Sequence, residues 1–227
     1  MEIRRADQRG HADHGWLDSH HSFSFASYHD PRYMGFGHLR VINEDRVAPD
    51  GGFGTHPHRD MEIVSYVVSG ELGHKDTLGT GSVIRPGEVQ LMSAGKGIAH
   101  SEMNPSSLEP VHFLQIWILP ARAGTAPRYE QRAFPVQDGI TVVASPDGRD
   151  GSLTIGQDME LYRVLLAPGT RVEQPLRRKR AWVQVVRGEL EVEGALLRAG
   201  DGLAVQDAGR LRLQANQQVE ALLFDLL

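Results

Sequence analysis

Cysteine is absent from this 227-residue chain, which excludes disulfides and thiolate metal ligands. Positive charge is not in excess either. Lys and Arg number 24 against 29 Asp and Glu, giving a net charge of −5 and a pI near 6.1. No overall basic field therefore attracts nucleic acid. The one dense basic run, Arg177-Arg178-Lys179-Arg180, is short and reads as a solvated loop. Long apolar runs are missing, and none approaches the roughly 20 residues needed to cross a bilayer. The start, Met1-Glu2-Ile3-Arg4-Arg5, has no apolar core behind it and does not read as a signal peptide, so a cytoplasmic protein is expected. Sustained helical periodicity is scarce.

What the chain has instead is punctuation: 25 Gly and 12 Pro separating short β-branched and aromatic runs. Ile63–Val68, Val111–Ile118, Ile140–Val143, Tyr162–Leu166 and Trp182–Val186 are each strand-length and bounded by turn residues. A hydrophobic content of 40% with 23% charge is ordinary for a soluble globular protein. Regular short strands with turn signals indicate a sandwich or barrel. The pattern is also written twice. Val67-Val68-Ser69-Gly70-Glu71-Leu72 is echoed by Val185-Val186-Arg187-Gly188-Glu189-Leu190, Pro86-Gly87-Glu88 by Ala199-Gly200-Asp201, and Ala94-Gly95 by Ala208-Gly209. The expected fold is all-β, two tandem antiparallel barrels. The stretch from Ala121 to Asp138, with Pro127 and Pro135, reads as the linker between domains at 1–125 and 126–227.

Gly54-Thr55-His56-Pro57-His58 places two imidazoles at i and i+2, on one face of a strand and about 7 Å apart. Gly97-Ile98-Ala99-His100-Ser101-Glu102 repeats the device with one imidazole and one carboxylate. Two facing strands would bring the pairs together as three nitrogens and one oxygen. That donor set suits one divalent transition-metal ion (Fe(II), Mn, Ni, Co, Cu or Zn) and argues against Ca or Mg.

These residues carry a resemblance. His56-x-His58, three intervening residues, Glu62, and a downstream Gly-rich turn with His100 resemble the two cupin motifs. More finely, His56-Pro57-His58-Arg59, Ala94 to Glu102, Leu114-Gln115-Ile116-Trp117 and Ser22-Phe23-Ser24-Phe25-Ala26 resemble the pirin family, densely from about residue 12 to 120. The resemblance implies jelly-roll-like cupin domains and an iron-type ion, Fe(II) first, held by His56, His58, His100 and Glu102. Glu62, a ligand in many cupins, would then stand behind the ligands. It also implies quercetin 2,3-dioxygenase activity, the opening of a flavonol heterocycle by O2 with release of carbon monoxide. Glu102 would be the catalytic base, and the partners a flavonol-like molecule and O2. The alternative it carries is a non-enzymatic, metal- or redox-responsive regulator acting through a protein partner. Another cupin oxygenase or a metal-dependent isomerase is a third reading.

The second copy has Glu173-Gln174-Pro175-Leu176-Arg177 where a His-x-His would stand, and no imidazole follows His112. A C-terminal domain without metal ligands is expected. His74 and Asp76 alternate on a strand, lining the barrel mouth or simply exposed. His20-His21 and His11-x-x-His14 read as N-terminal surface features. Gly79-Thr80-Gly81 and Gly51-Gly52 read as turns, and no Ser/His/Asp acyl-transfer motif is present.

Overall fold

The computed structural model describes residues 1–227 and is built almost wholly of strands. Its two helical segments are three-residue 3-10 turns, Ala6–Gln8 and Arg149–Gly151. The chain divides into two compact units. One holds Gly10–Phe134 with Ile155–Gln157, and the other holds Met1–Arg9, Pro135–Thr154 and Asp158–Leu227.

After β1 (Glu2–Arg4) come the strands of the first unit: β2 (Gly10–Asp13), β3 (Leu17–His21), β4 (Leu39–Val47), β5 (Gly52–His58), β6 (Glu62–Ser69) and β7 (Leu72–Asp76). They continue as β8 (Gly81–Ile84), β9 (Glu88–Ser93), β10 (Ile98–Met103), β11 (Val111–Ile118) and β12 (Arg128–Ala133). A seven-stranded sheet runs β12-β9-β6-β11-β4-β3-β2 and a four-stranded sheet β5-β10-β7-β8. The second unit holds β13 (Gly139–Ser145), β14 (Leu153–Thr154), β15 (Met159–Leu166), β16 (Arg171–Pro175) and β17 (Arg180–Arg187). It ends with β18 (Glu189–Val192), β19 (Ala195–Arg198), β20 (Gly202–Gln206), β21 (Arg210–Ala215) and β22 (Val219–Leu226). Its four-stranded sheet is β16-β21-β18-β19, the first unit's order repeated eleven strands later, and its larger sheet is β1-β20-β17-β22-β15-β13-β14.

The duplication is therefore topological as well as textual. The echoed Gly70 and Gly188 explain one part of it. Both adopt positive φ (76° and 82°), and a Cβ would come within 2.7 Å of Pro110 O at the first and 2.3 Å of Gln218 O at the second. Only glycine turns the chain that close to the next strand.

Two sequence expectations change. The stretch expected as linker contains β12, which pairs with β9 from Arg128↔Ser93 to Ala133↔Glu88. The first unit accordingly runs to Phe134, past the expected boundary at 125. The physical reason is that Tyr129 and Gln131 anchor this polar edge strand: Tyr129 Oη meets Ser82 Oγ at 2.5 Å and Gln131 Nε2 donates to Val83 O at 2.9 Å. The edge next to β20, the place β12 fills in the first unit, is taken by β1, with Glu2↔Ala204 to Arg4↔Gly202 in register.

The two interiors differ in chemistry. The second unit holds an apolar cluster of its own, to which β21 turns Leu211, Leu213 and Ala215. In the first unit one apolar cluster gathers around Leu72 and Phe113 and another around Ile63 and Met92. Its strands also bury Ser19, His21, Asn43, Asp45, His74, His100, Glu102 and Gln115. Buried polar groups on this scale are costly unless partnered, so they mark where chemistry is held.

Candidate metal centre

Strand alternation places the expected ligands. On β10, His100 and Glu102 are buried while Ala99 and Ser101 are not, and on β5 both His56 and His58 are half-buried. The two strands are antiparallel with Ile98 opposite His58 and His100 opposite His56. The three rings converge, with centroids 4.8 Å apart for His56–His58, 4.5 Å for His56–His100 and 4.9 Å for His58–His100. One ligand atom from each lies within 4.8 Å of the others. A register shift between His100 and Glu102 interrupts the ladder, as bulges do where a side chain is re-aimed.

Protonation suits this cluster to a cation. His56 Nδ1 donates to Gly54 O at 2.7 Å, which leaves its Nε2 bare. His100 Nε2 is buried with no hydrogen-bond partner. Burial pushes His58 down to about 4, helped by His56, and burial with His56, His58 and His74 pushes His100 down to about 3. Neutral imidazoles are the ligand form. Trp117 packs edge-on against His58 at 4.9 Å.

Glu102 stands in the same cavity but outside the three-imidazole cluster. Its carboxylate accepts two bonds from Gln115 Nε2, at 2.9 and 2.7 Å, and one from Ser65 Oγ at 3.1 Å. Burial raises its pKa against those bonds, and no cationic side chain pairs with it. A buried carboxylate with only neutral donors, beside three converging imidazoles, is a donor set that a divalent cation would neutralise. The residues present fit the group. Glu62 is engaged elsewhere: its carboxylate accepts from Ser93 Oγ at 2.8 Å and from Gly156 N at 3.0 Å.

Three expectations are corrected. His74 and Asp76 are neither exposed nor at a barrel mouth; both side chains are fully buried and bonded to each other at 2.9 Å. Of His20-His21, only His20 faces outward. His21 is 3% exposed and its Nε2 meets Ser19 Oγ at 2.8 Å, because adjacent strand residues point to opposite faces. Arg178, in the basic run, is largely buried, with its Nε 3.0 Å from Asp158.

The sequence reading missed a polar wall. Ser19, His21, Asn43 and Asp45 line the same cavity of about 690 Å³ as His56, His58 and Glu102. Ser19 Oγ bonds to Asp45, whose carboxyl burial pushes up to about 7. Asn43 Oδ1 and Trp117 Nε1 are buried without partners. The signal was there as period two: Leu17-x-Ser19-x-His21 and Asn43-x-Asp45-x-Val47 put polar residues at inward positions. Aromatic rings of Trp16, Phe25 and Phe53 complete the walls. His11, Asp18 and His20 form a smaller, more exposed cluster on β2 and β3.

Two jelly-roll barrels of matching topology in one chain, one of them carrying inward imidazoles, define a two-cupin protein. The sequence matches the Pirin family over residues 2–118 and the Quercetinase C-terminal cupin domain over residues 142–226. It is 52% identical, over 99% of its length and 97% of the relative's, to the protein named quercetin 2,3-dioxygenase in Escherichia coli strain K12. The bacterial pirin YhhW from Escherichia coli, solved in complex with nickel(II), superposes with a TM-score of 0.96 at 51% identity, covering 99% of this chain and 98% of that one. YhaK from Escherichia coli gives a TM-score of 0.78 at 30% identity, covering 96% and 97%. The chain belongs to the pirin family.

Proposed function

We propose that this protein is a metal-dependent dioxygenase that opens the heterocycle of flavonols such as quercetin with O2, releasing carbon monoxide. The observation that carries the reading is the convergence of His56, His58 and His100, the first two of them at one wall of a cavity whose other walls are aromatic and hydroxyl-reading. Likeness to a named quercetin 2,3-dioxygenase over nearly the whole chain supports it. His56, His58, His100 and Glu102 would hold one divalent ion, with Fe(II) as the native choice. When bound, that ion supplies Lewis acidity toward the flavonol oxygens and a position for O2.

The chain's residues supply the rest. A cavity of about 690 Å³ is of the size that encloses a small planar molecule. Trp16, Phe25, Phe53 and Trp117 flank its rings and exclude water. Asn43 Oδ1, an acceptor lacking a donor, takes a phenolic O–H, and Ser19, His21 and Asp45 offer further partners. Glu102, held at a raised pKa, accepts the proton of the 3-hydroxyl, while Gln115 and Ser65 keep its carboxylate in place.

The test is oxygen uptake and carbon monoxide release on adding quercetin to protein loaded with Fe(II) or Ni(II). His58→Ala is expected to lose most of the bound metal and the activity together while remaining folded. Loaded protein that consumes no oxygen with quercetin or related flavonols would remove the enzymatic reading.

A further inference from the structure

The structure assigns Asp76 and His74 as positioning residues that fix the tautomer and the aim of His100 toward the metal. The inference rests on the imidazole centre of the preceding section and not on the identity of the substrate. His100 and Glu102 on β10 are paired with Asp76 and His74 on β7, which sets all four on one face. His74 Nε2 lies 2.9 Å from Asp76 Oδ2, and His74 Nδ1 lies 3.4 Å from His100 Nδ1. Both His74 and Asp76 have wholly buried side chains.

The proton positions follow from the far end of this row. Asp76 Oδ1 accepts from Leu78 N at 2.9 Å and Thr80 N at 3.0 Å, which anchors the carboxylate in the turn after β7. With Oδ1 taken up by two backbone N–H groups, Oδ2 is left as the acceptor and His74 Nε2 as the donor to it. In a neutral ring His74 Nδ1 is then bare and accepts. His100 Nδ1 must therefore carry its proton, and His100 Nε2 is left with a lone pair, buried and without a protein partner. The opposite assignment would face a bare His74 Nε2 against a carboxylate. Tyr129, itself held by Ser82 and Gln131, packs against His74 with ring centroids 4.6 Å apart and planes tilted by 32°, which limits the movement of the relaying ring. A carboxylate behind a histidine ligand commonly sets ring orientation and ligand basicity, and here a second histidine is interposed.

The experiment compares unmutated protein with His74→Phe and His74→Gln, all stripped of metal. Affinity for Ni(II) and Co(II) is read by competition with a chromophoric chelator, the ligand field by the Co(II) absorption spectrum, and folding by thermal melting of the metal-free proteins. His74→Phe keeps ring volume and the contact with Tyr129 but accepts no hydrogen bond, and it should weaken binding by about 10- to 100-fold and shift the Co(II) bands. His74→Gln offers an amide oxygen to His100 Nδ1 and should recover most of the loss. Unchanged affinity and spectrum in His74→Phe, or equal losses in Phe and Gln variants, would overturn the assignment. If His74→Phe does not fold, Asp76→Asn carries the test. It keeps an acceptor for the turn but lacks the charge, and an unchanged affinity there would equally overturn it. Tight metal binding without flavonol turnover would sink the dioxygenase reading and leave this one standing. Unmutated protein that binds neither metal would end both.

Discussion

Glu102, Asp45, His58 and His100 belong to one barrel, yet burial moves them in chemically opposite directions. Burial pushes the imidazoles down, away from the charged form, and pushes both carboxyls up from their ordinary values. Asp45 gives a stability test. Its folded pKa of about 7 lies above the ordinary 3.8, so the folded state binds a proton that the unfolded chain releases between those values. The stabilisation is complete below pH 3.8 and lost as pH rises through 7. At 1.36 kcal/mol per pH unit it amounts to about 4 kcal/mol at most. Metal-free Asp45→Asn should therefore lose less stability than the unmutated protein between pH 5.5 and pH 8, measured by urea unfolding. Equal losses would remove Asp45 as the titrating group. Glu102→Gln tests the base. It should still bind quercetin and retain metal, but turn over about a hundred- to ten-thousandfold more slowly, with the deficit narrowing at higher pH as the flavonol ionises unaided. Paired imidazoles were legible in the sequence because i, i+2 spacing has one meaning on a strand. His21 and Asp45 were not, because a single polar residue in an alternating run reads as surface until its face is known.

Among elements, β10 and β5 make the site and their fit depends on glycine. A Cβ on Gly52 would stand 2.4 Å from Glu102 O and 2.6 Å from Met103 Sδ, at the register shift that aims Glu102. At Gly54, two residues along the same strand, a Cβ would meet nothing within 4 Å. Gly52→Ala should therefore cost about 1–3 kcal/mol in thermal or urea unfolding and weaken metal binding, whereas Gly54→Ala should leave both unchanged. Similar behaviour of the two variants would mean that the strands tolerate displacement there. The apolar strands β6, β11, β15 and β17 were readable from their β-branched runs. The strand β12 was not: Arg128-Tyr129-Glu130-Gln131-Arg132-Ala133 is polar, lies between prolines, and earns its place through side-chain bonds to β8 and its flanks.

For the whole molecule, the doubled Gly-Glu-Leu pattern foretold two barrels, but not which residues finish each. The first unit needs Ile155–Gln157, whose Gly156 N bonds Glu62 and whose Gln157 Nε2 bonds Leu119 O at 2.8 Å. The second needs the N-terminus, where β1 covers the edge of β20 and Arg5 Nη1 meets Asp201 at 2.7 Å. These are contacts between residues far apart in sequence, which no local pattern encodes. A fragment of residues 10–134 is thus expected to be less stable than the same fragment carrying residues 155–157 through a linker, as measured by thermal melting. Equal melting temperatures would show that Glu62 does not need its amide partner.

The placement of β1 also bears on how the protein is made. Synthesis runs from the N-terminal side, so β1 leaves the ribosome well before its partner Gly202–Gln206, which emerges some two hundred residues later. At about 5–20 residues per second that is a wait of roughly 10–40 seconds. During it the first strand is an unpaired edge, and three basic residues, Arg4, Arg5 and Arg9, lie in or just after it. The first barrel meanwhile waits for residue 156 before Glu62 finds its amide. Residues translated ahead of the first barrel are thus placed only after it, and a nascent chain arrested before residue 202 cannot dock them.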